Sequence, residues 1–385
     1  MILRFLFCLA LVLGFASPSI ADEKAPLDVV VTIKPVHSLV SQIMSGVGDP
    51  YLLLKGNSSP HHFQLKPSDA SRLYKADLVV WVGPSLETRL IKPLSSGARK
   101  GPVFSLLSQP GITLLPFRGE HNHDHGEAAA HHDGHKGHDD HKDHKAHKDH
   151  DDHKGHDHHK DHKAHKGHDD HKGHDHHKDH KAHKGHDDHK GHDHHKDHKG
   201  HDGHKGHDHA GEMDPHIWLD VDNAIVIAKA LVKQLSALRP KSAKTFEANG
   251  KALVAELEAL DAALKTSLSP VQSRAYMVFH DAYQYFSGQY GLSFAGAIAL
   301  QPEAPISAKH LRELQKDLTS KSVVCVFSEP QYSDKMVKTL IGTSSVRSAV
   351  LDPLGASLPE GAGSYTAMMK KLGASFSNCL AATKP

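Results

Sequence analysis

Short apolar runs alternate with amphipathic stretches in two separate parts of the chain. In the first part, residues 29–33 form a β-branched run that ends at Lys34-Pro35, and helical spacing follows over 36–47. Residues 51–54 read as the next strand, 68–75 as a short helix behind Pro67, and 78–82 as a buried strand closed by Gly83-Pro84. A further apolar run at 112–115 predicts one more strand. Runs of this length between helical stretches are the signature of parallel sheet built from βαβ units.

The second part repeats the pattern. Residues 222–238 predict one helix and 241–268 another, with Pro240 between them and Phe246, Leu253, Leu257, Leu260 and Leu264 on one face. Strands are then expected at 276–279, 292–299, 323–327 and 346–351, and helices at 283–290, 307–319, 334–341 and 365–379. The predicted fold is α/β: two lobes, each a mostly parallel sheet flanked by helices, joined by one long rigid helix. The lobes take 22–240 and 269–385, and the linking helix takes 241–268. About 275 residues outside the intervening repeat suit two domains of ordinary size.

Composition changes abruptly between the two parts. All but six of the 40 histidines lie in a segment bounded by His121 and His209, made almost wholly of His, Lys, Asp, Gly and Ala. Its unit DHKAHKGHDDHKGHDHHK at 161–178 recurs unchanged at 179–196, and 143–160 differs from it only at Asp149. A segment without large aliphatic or aromatic side chains cannot offset its ordering entropy, so it is expected to be a disordered insertion when metal-free. Lengthening a surface loop from ten to ninety residues costs only about 2 kcal/mol of closure entropy, which a folded domain tolerates. The closely spaced histidines of this loop, His121 to His209, predict many overlapping weak zinc sites that collect or buffer the metal.

The amino terminus places the chain. Arg4, an apolar run over 5–15 and the small residues Ser19 and Ala21 predict a secretory signal peptide, 1–21, cleaved after Ala21 to leave Asp22 first. The apolar run is shorter than a membrane span requires, so an exported periplasmic protein is expected. Cys8 leaves with the leader. Cys325 and Cys379 remain, and an even pair in an oxidising compartment favours a disulfide over free thiols; a two-thiolate metal site lacks CxxC spacing. Lys plus Arg number 46 against 45 Asp plus Glu, which argues against a basic nucleic-acid footprint.

Of the six other histidines, His61, His216 and His280 fall where strands run out into loops, the places where parallel sheets bind ligands. Asp352, following the strand at 346–351, is a fourth candidate. Three imidazoles with one carboxylate suit Zn2+ better than manganese, and each must be deprotonated to bind, so affinity is expected to fall below pH about 6. His62 is a substitute for His61 or a solvent-facing neighbour. Glu329 is either a carboxylate near the site or a cap for the next helix. His37 lies at a helix start, and His310 reads as surface.

Several motifs carry a resemblance: Ile33-Lys34-Pro35-Val36, Leu65-Lys66-Pro67-Ser68-Asp69, the run 76–84, His216-Ile217-Trp218-Leu219, Phe279-His280-Asp281-Ala282-Tyr283, Cys325-Val326-Phe327-Ser328-Glu329-Pro330-Gln331, and Leu351-Asp352-Pro353-Leu354-Gly355. Over these the mature chain resembles the high-affinity zinc-binding proteins of bacterial ABC importers, the ZnuA type of the cluster A-I solute-binding family. The resemblance implies zinc in a cleft between the lobes, delivery to a permease in the inner membrane, and a stiff helix that limits closure. It places the ligands at His61, His216 and His280 and the disulfide at Cys325 and Cys379. Some members add a glutamate immediately before the first histidine; here that residue is Pro60, leaving Asp352 or water as fourth ligand. A monomer is expected, neither membrane-spanning nor an enzyme. The competing functions are a zinc store centred on 121–209 and a zinc hydrolase; HExxH is absent, and Glu329 is the one evident candidate base.

Overall fold

The structure, a computed structural model, describes residues 26–97, 99–118, 213–299 and 305–381. The leader 1–21 lies outside the described residues, and so does the whole histidine repeat with its bounding residues His121 and His209.

Strand β1 (Val29–Val31) is buried throughout and pairs in parallel on both sides, with β2 (Tyr51–Leu52) and β3 (Leu78–Trp81). Adding β4 (Val103–Ser105) gives the order β2-β1-β3-β4. The first two connecting helices, α1 (Lys34–Ile43) and α2 (Pro67–Lys75), each begin with a proline in the first turn, where its missing N–H costs nothing; α3 (Ile91–Ser95) is a short third. Val29 and Val31 face one apolar core and Val30 the other, which explains the unbroken β-branched run.

Helix α4 (Val221–Leu238) starts where the Asp220 carboxylate accepts the Asn223 N–H at 2.9 Å. Next comes α5 (Ala243–Leu268), 26 residues long, with the predicted apolar stripe buried. The second lobe follows with β5 (Tyr276–His280), α6 (Gln284–Tyr290), β6 (Phe294–Ala299), α7 (Ala308–Ser320), β7 (Cys325–Ser328), α8 (Lys335–Ile341), β8 (Arg347–Val350) and α9 (Ser364–Ala381). Its sheet is parallel, in the order β6-β5-β7-β8, so each lobe places its first strand inside the sheet. Successive connections leave opposite sides of β1 and of β5, and the crevice for a ligand opens at the carboxyl ends there.

Helix α5 packs against α1, α4 and α9, and one continuous apolar core runs from Val31 through these helices to Tyr276 and Phe327 of the second sheet. Helix α9 also lies against α1 of the first lobe, where the Tyr365 N–H donates to Ser38 Oγ at 2.9 Å. Cys325 on β7 and Cys379 on α9 form a disulfide with Cα atoms 6.1 Å apart. Among the described residues no helix is long and apolar enough to cross a membrane.

One predicted strand is corrected. Residues 112–115 are irregular because side chains satisfy their backbone: Asn223 Oδ1 accepts the Thr113 N–H at 2.8 Å, and Tyr285 Oη accepts that of Leu115 at 2.9 Å. The fourth strand is instead β4, three residues directly behind Gly101-Pro102, too short to stand out as an apolar run.

Candidate metal centre

His61, His216 and His280 come from three distant parts of the chain, and their ligand atoms lie within 4.8 Å of one another. His280 is the last residue of β5, so strand pairing fixes its backbone. His216 precedes the single turn 217–219 that leads into α4. His61 sits in the irregular segment between β2 and α2 and is half-buried, whereas His216 is 2 % and His280 4 % exposed.

The three rings meet edge to face or tilted, with centroids 5.0 to 5.3 Å apart. His61 Nε2 is 3.3 Å from His216 Nε2. Three nitrogens on one tetrahedral zinc stand about 3.4 Å apart, so no pair need close by more than about 1.4 Å. The recess that the three rings line with Trp218, Tyr332 and Pro353 holds about 10 Å³, room for one ion or water.

Carboxylates stand behind two of the rings. Asp214 Oδ1 lies 2.7 Å from His216 Nδ1 and accepts the His216 backbone N–H at 3.0 Å. With Nδ1 donating, the Nε2 lone pair of His216 is free to bind a metal. Glu329 Oε1 lies 3.6 Å from His280 Nδ1, and both atoms are buried without a hydrogen-bond partner. Burial, then the neighbouring imidazoles, holds His61 and His216 well below the usual histidine range. Burial lowers His280 too, but the carboxylates of Glu329, Asp281 and Asp214 together outweigh it and leave that ring raised. Burial pushes Asp214 up to about 7.

The other candidates lie outside this cluster. The carboxylate of Asp352 accepts from Gln331 Nε2 at 3.2 Å, Leu354 N at 3.3 Å and Ser357 N at 3.4 Å. His62 is exposed, its N–H directed to Ser59 O. His37 is buried, with Nε2 3.0 Å from Pro50 O. His310 is half-buried in the first turn of α7, its N–H received by Ser307 Oγ. The auxiliary zinc sites expected from His121 to His209 fall outside the described residues, so the cluster of three is a statement about the folded lobes alone.

Sequence reasoning missed Asp214 and the residues that seat this loop. Trp218 Nε1 donates to Pro353 O of the second lobe at 2.8 Å, and Tyr365 Oη donates to Trp218 O at 2.8 Å. Arg118 Nε donates to Asp281 Oδ2 at 2.9 Å and its Nη2 pairs with Oδ1, a two-pronged bridge beside His280. The spacing Asp214-Pro215-His216 was a readable signal, because proline restricts the residue before it and fixes the turn. Arg118 had none.

Residues 29–379 match the family described as zinc-uptake complex component A, periplasmic. The chain is 37 % identical over 374 residues to a high-affinity zinc uptake system protein ZnuA of Brucella abortus, covering 96 % of each chain. It is 35 % identical over 356 residues to one from Paracoccus denitrificans, covering 92 % of each. Among solved structures it resembles a zinc-bound ZnuA deletion mutant with a TM-score of 0.63 at 21 % identity, covering 93 % of this chain and 100 % of that one.

Proposed function

The chain belongs to the family of the periplasmic zinc-uptake complex component A, and from that premise we propose that it captures Zn2+ in the interlobe cleft and delivers it to an ABC permease. The family consists of solute-binding proteins rather than enzymes. In our reading, residues 1–21 are removed on export, the mature protein works as a monomer beside an inner-membrane permease, and it performs no covalent chemistry.

The observation that carries this reading is the convergence of three imidazoles, two of them backed by buried carboxylates. His61, His216 and His280 hold the ion, His216 and His280 through Nε2. Asp214 fixes the proton on the far nitrogen of the His216 ring, the usual partnership behind a zinc-bound histidine, and the buried Glu329 carboxylate stands behind the His280 ring. Water completes the shell, since Pro60 has no donor and the Asp352 carboxylate already receives three hydrogen bonds. The histidines from His121 to His209 act as weaker auxiliary sites, interleaved with lysine and aspartate.

Zinc titration against a competing chelator tests this reading on the mature protein, on the same protein lacking residues 121–209, and on His280→Ala. One tight site should survive the deletion and vanish in His280→Ala. Loss of the tight site with the loop would instead make the protein a store, and a tight site preferring manganese would overturn the ligand assignment.

A further inference from the structure

The three histidines are not held equally. His280 lies within a paired strand backed by Glu329, and His216 is seated by Asp214 while Trp218, two residues on, is bonded to Pro353 and Tyr365. His61 lies in the segment 53–66, which has neither helix nor strand and contains Gly56 at φ +67°, a conformation open to glycine. Backbone pairing therefore does not fix the third ring.

A contact across the cleft does reach it. Ser59, two residues before His61, has its Oγ 3.0 Å from Tyr332 Oη. The Tyr332 ring packs on Phe279, the neighbour of His280 on β5, with centroids 5.1 Å apart, and its own N–H donates to Glu329 O at 3.2 Å. The ring is thus carried by the elements that carry His280 and Glu329, and its hydroxyl meets the segment that carries His61.

We propose that the Ser59–Tyr332 hydroxyl pair is the catch that retains the bound ion: it holds His61 against the other two histidines and sets the rate at which zinc leaves. Tyr332 acts through His61 and is a positioning residue. The inference rests on the reading of His61 as a ligand. Its consequence is an order of release, with His61 departing first while His216 and His280 keep the ion, so the exit lies on the Ser59 side of the cleft.

The test is zinc release from the full mature chain, loaded with one equivalent and mixed in a stopped-flow instrument with excess colorimetric chelator. The phase belonging to the cleft is the slow one that His280→Ala abolishes. Tyr332→Phe keeps the ring on Phe279 and removes only the hydroxyl, and Ser59→Ala removes the other partner. Each should speed that phase roughly tenfold, the effect of one lost hydrogen bond. The double variant should be no faster than either single one, and Ser59→Thr, which keeps a hydroxyl, should restore the slow rate. A merely structural role would lower the thermal midpoint of the metal-free protein and would not show this coupling. Unchanged rates in both single variants, or effects that multiply in the double, would overturn the catch while leaving zinc binding intact. Absence of any slow phase removed by His280→Ala would instead overturn the binding reading on which the catch depends.

Discussion

One oxygen of Asp214 serves both ends of His216: Oδ1 accepts the backbone N–H at 3.0 Å and faces ring Nδ1 at 2.7 Å. A carboxylate so placed fixes where the imidazole points and which nitrogen keeps its proton. Asp214→Asn offers a weaker acceptor of similar shape, and the expected loss of zinc affinity is about 10- to 100-fold. Chelator competition reads it, and wild-type affinity in this variant would show that His216 does not bind through Nε2.

Arg118 and Asp281 form the second such relationship. Asp281 is buried, and burial raises its carboxyl against the opposing pull of Arg118. Arg118→Met leaves that carboxylate without its guanidinium. Because the arginine side chain is 26 % exposed, the cost should fall below that of a fully buried pair, at about 2 kcal/mol. Thermal melting of the metal-free variant should show a drop of about 5 °C.

Glu87 gives the stability a pH dependence away from the metal centre. It is fully buried, accepting from Thr32 Oγ1 at 2.5 Å, Gly83 N at 2.9 Å and Val82 N at 3.2 Å, and burial pushes it up from 4.5 to about 7. The folded state therefore holds this proton more tightly than the unfolded chain. Its contribution is fully present below pH about 4.5 and is lost as pH rises through about 7, a change on the order of 3 kcal/mol. Glu87→Gln should lack that dependence, so denaturant unfolding at pH 5 and pH 8 should show the two proteins diverging in favour of the variant at the higher pH. Parallel curves would count against a buried titrating Glu87.

The disulfide should matter to stability rather than to the ion. Cys325 and Cys379 are 54 residues apart, and removing the cross-link in Cys325→Ser/Cys379→Ser should cost up to about 4 kcal/mol. Zinc stoichiometry at the cleft should be unchanged when measured well below the denaturation midpoint.

Most strands and helices were legible because their signals are local. The β-branched runs at β1 and β7, the proline starts of α1 and α2, and the leucine stripe of α5 each declare themselves within one element. Residues 112–115 misled because an apolar run says nothing about what bonds its backbone, and here Asn223 and Tyr285 do so from far along the chain. The three histidines were singled out as strand-end residues, but only His280 ends a strand; His61 and His216 lie in irregular segments that long-range contacts bring to it. Their partners divide by distance: Asp214 adjoins its histidine and could have been read, whereas Arg118 and Tyr332 act from more than 50 residues away and only folding reveals them. The hydrogen bonds that the Asp352 carboxylate accepts from Leu354 and Ser357 were not legible from its place after a strand.

Helix α9, the final element, rests on α1 near the beginning of the chain as well as on α5. A polypeptide halted before residue 364 would therefore leave α1 without one of its packing partners and Cys325 without its partner. Contacts this far apart in sequence form late. One helix thus ties the stability of the first lobe to that of the second.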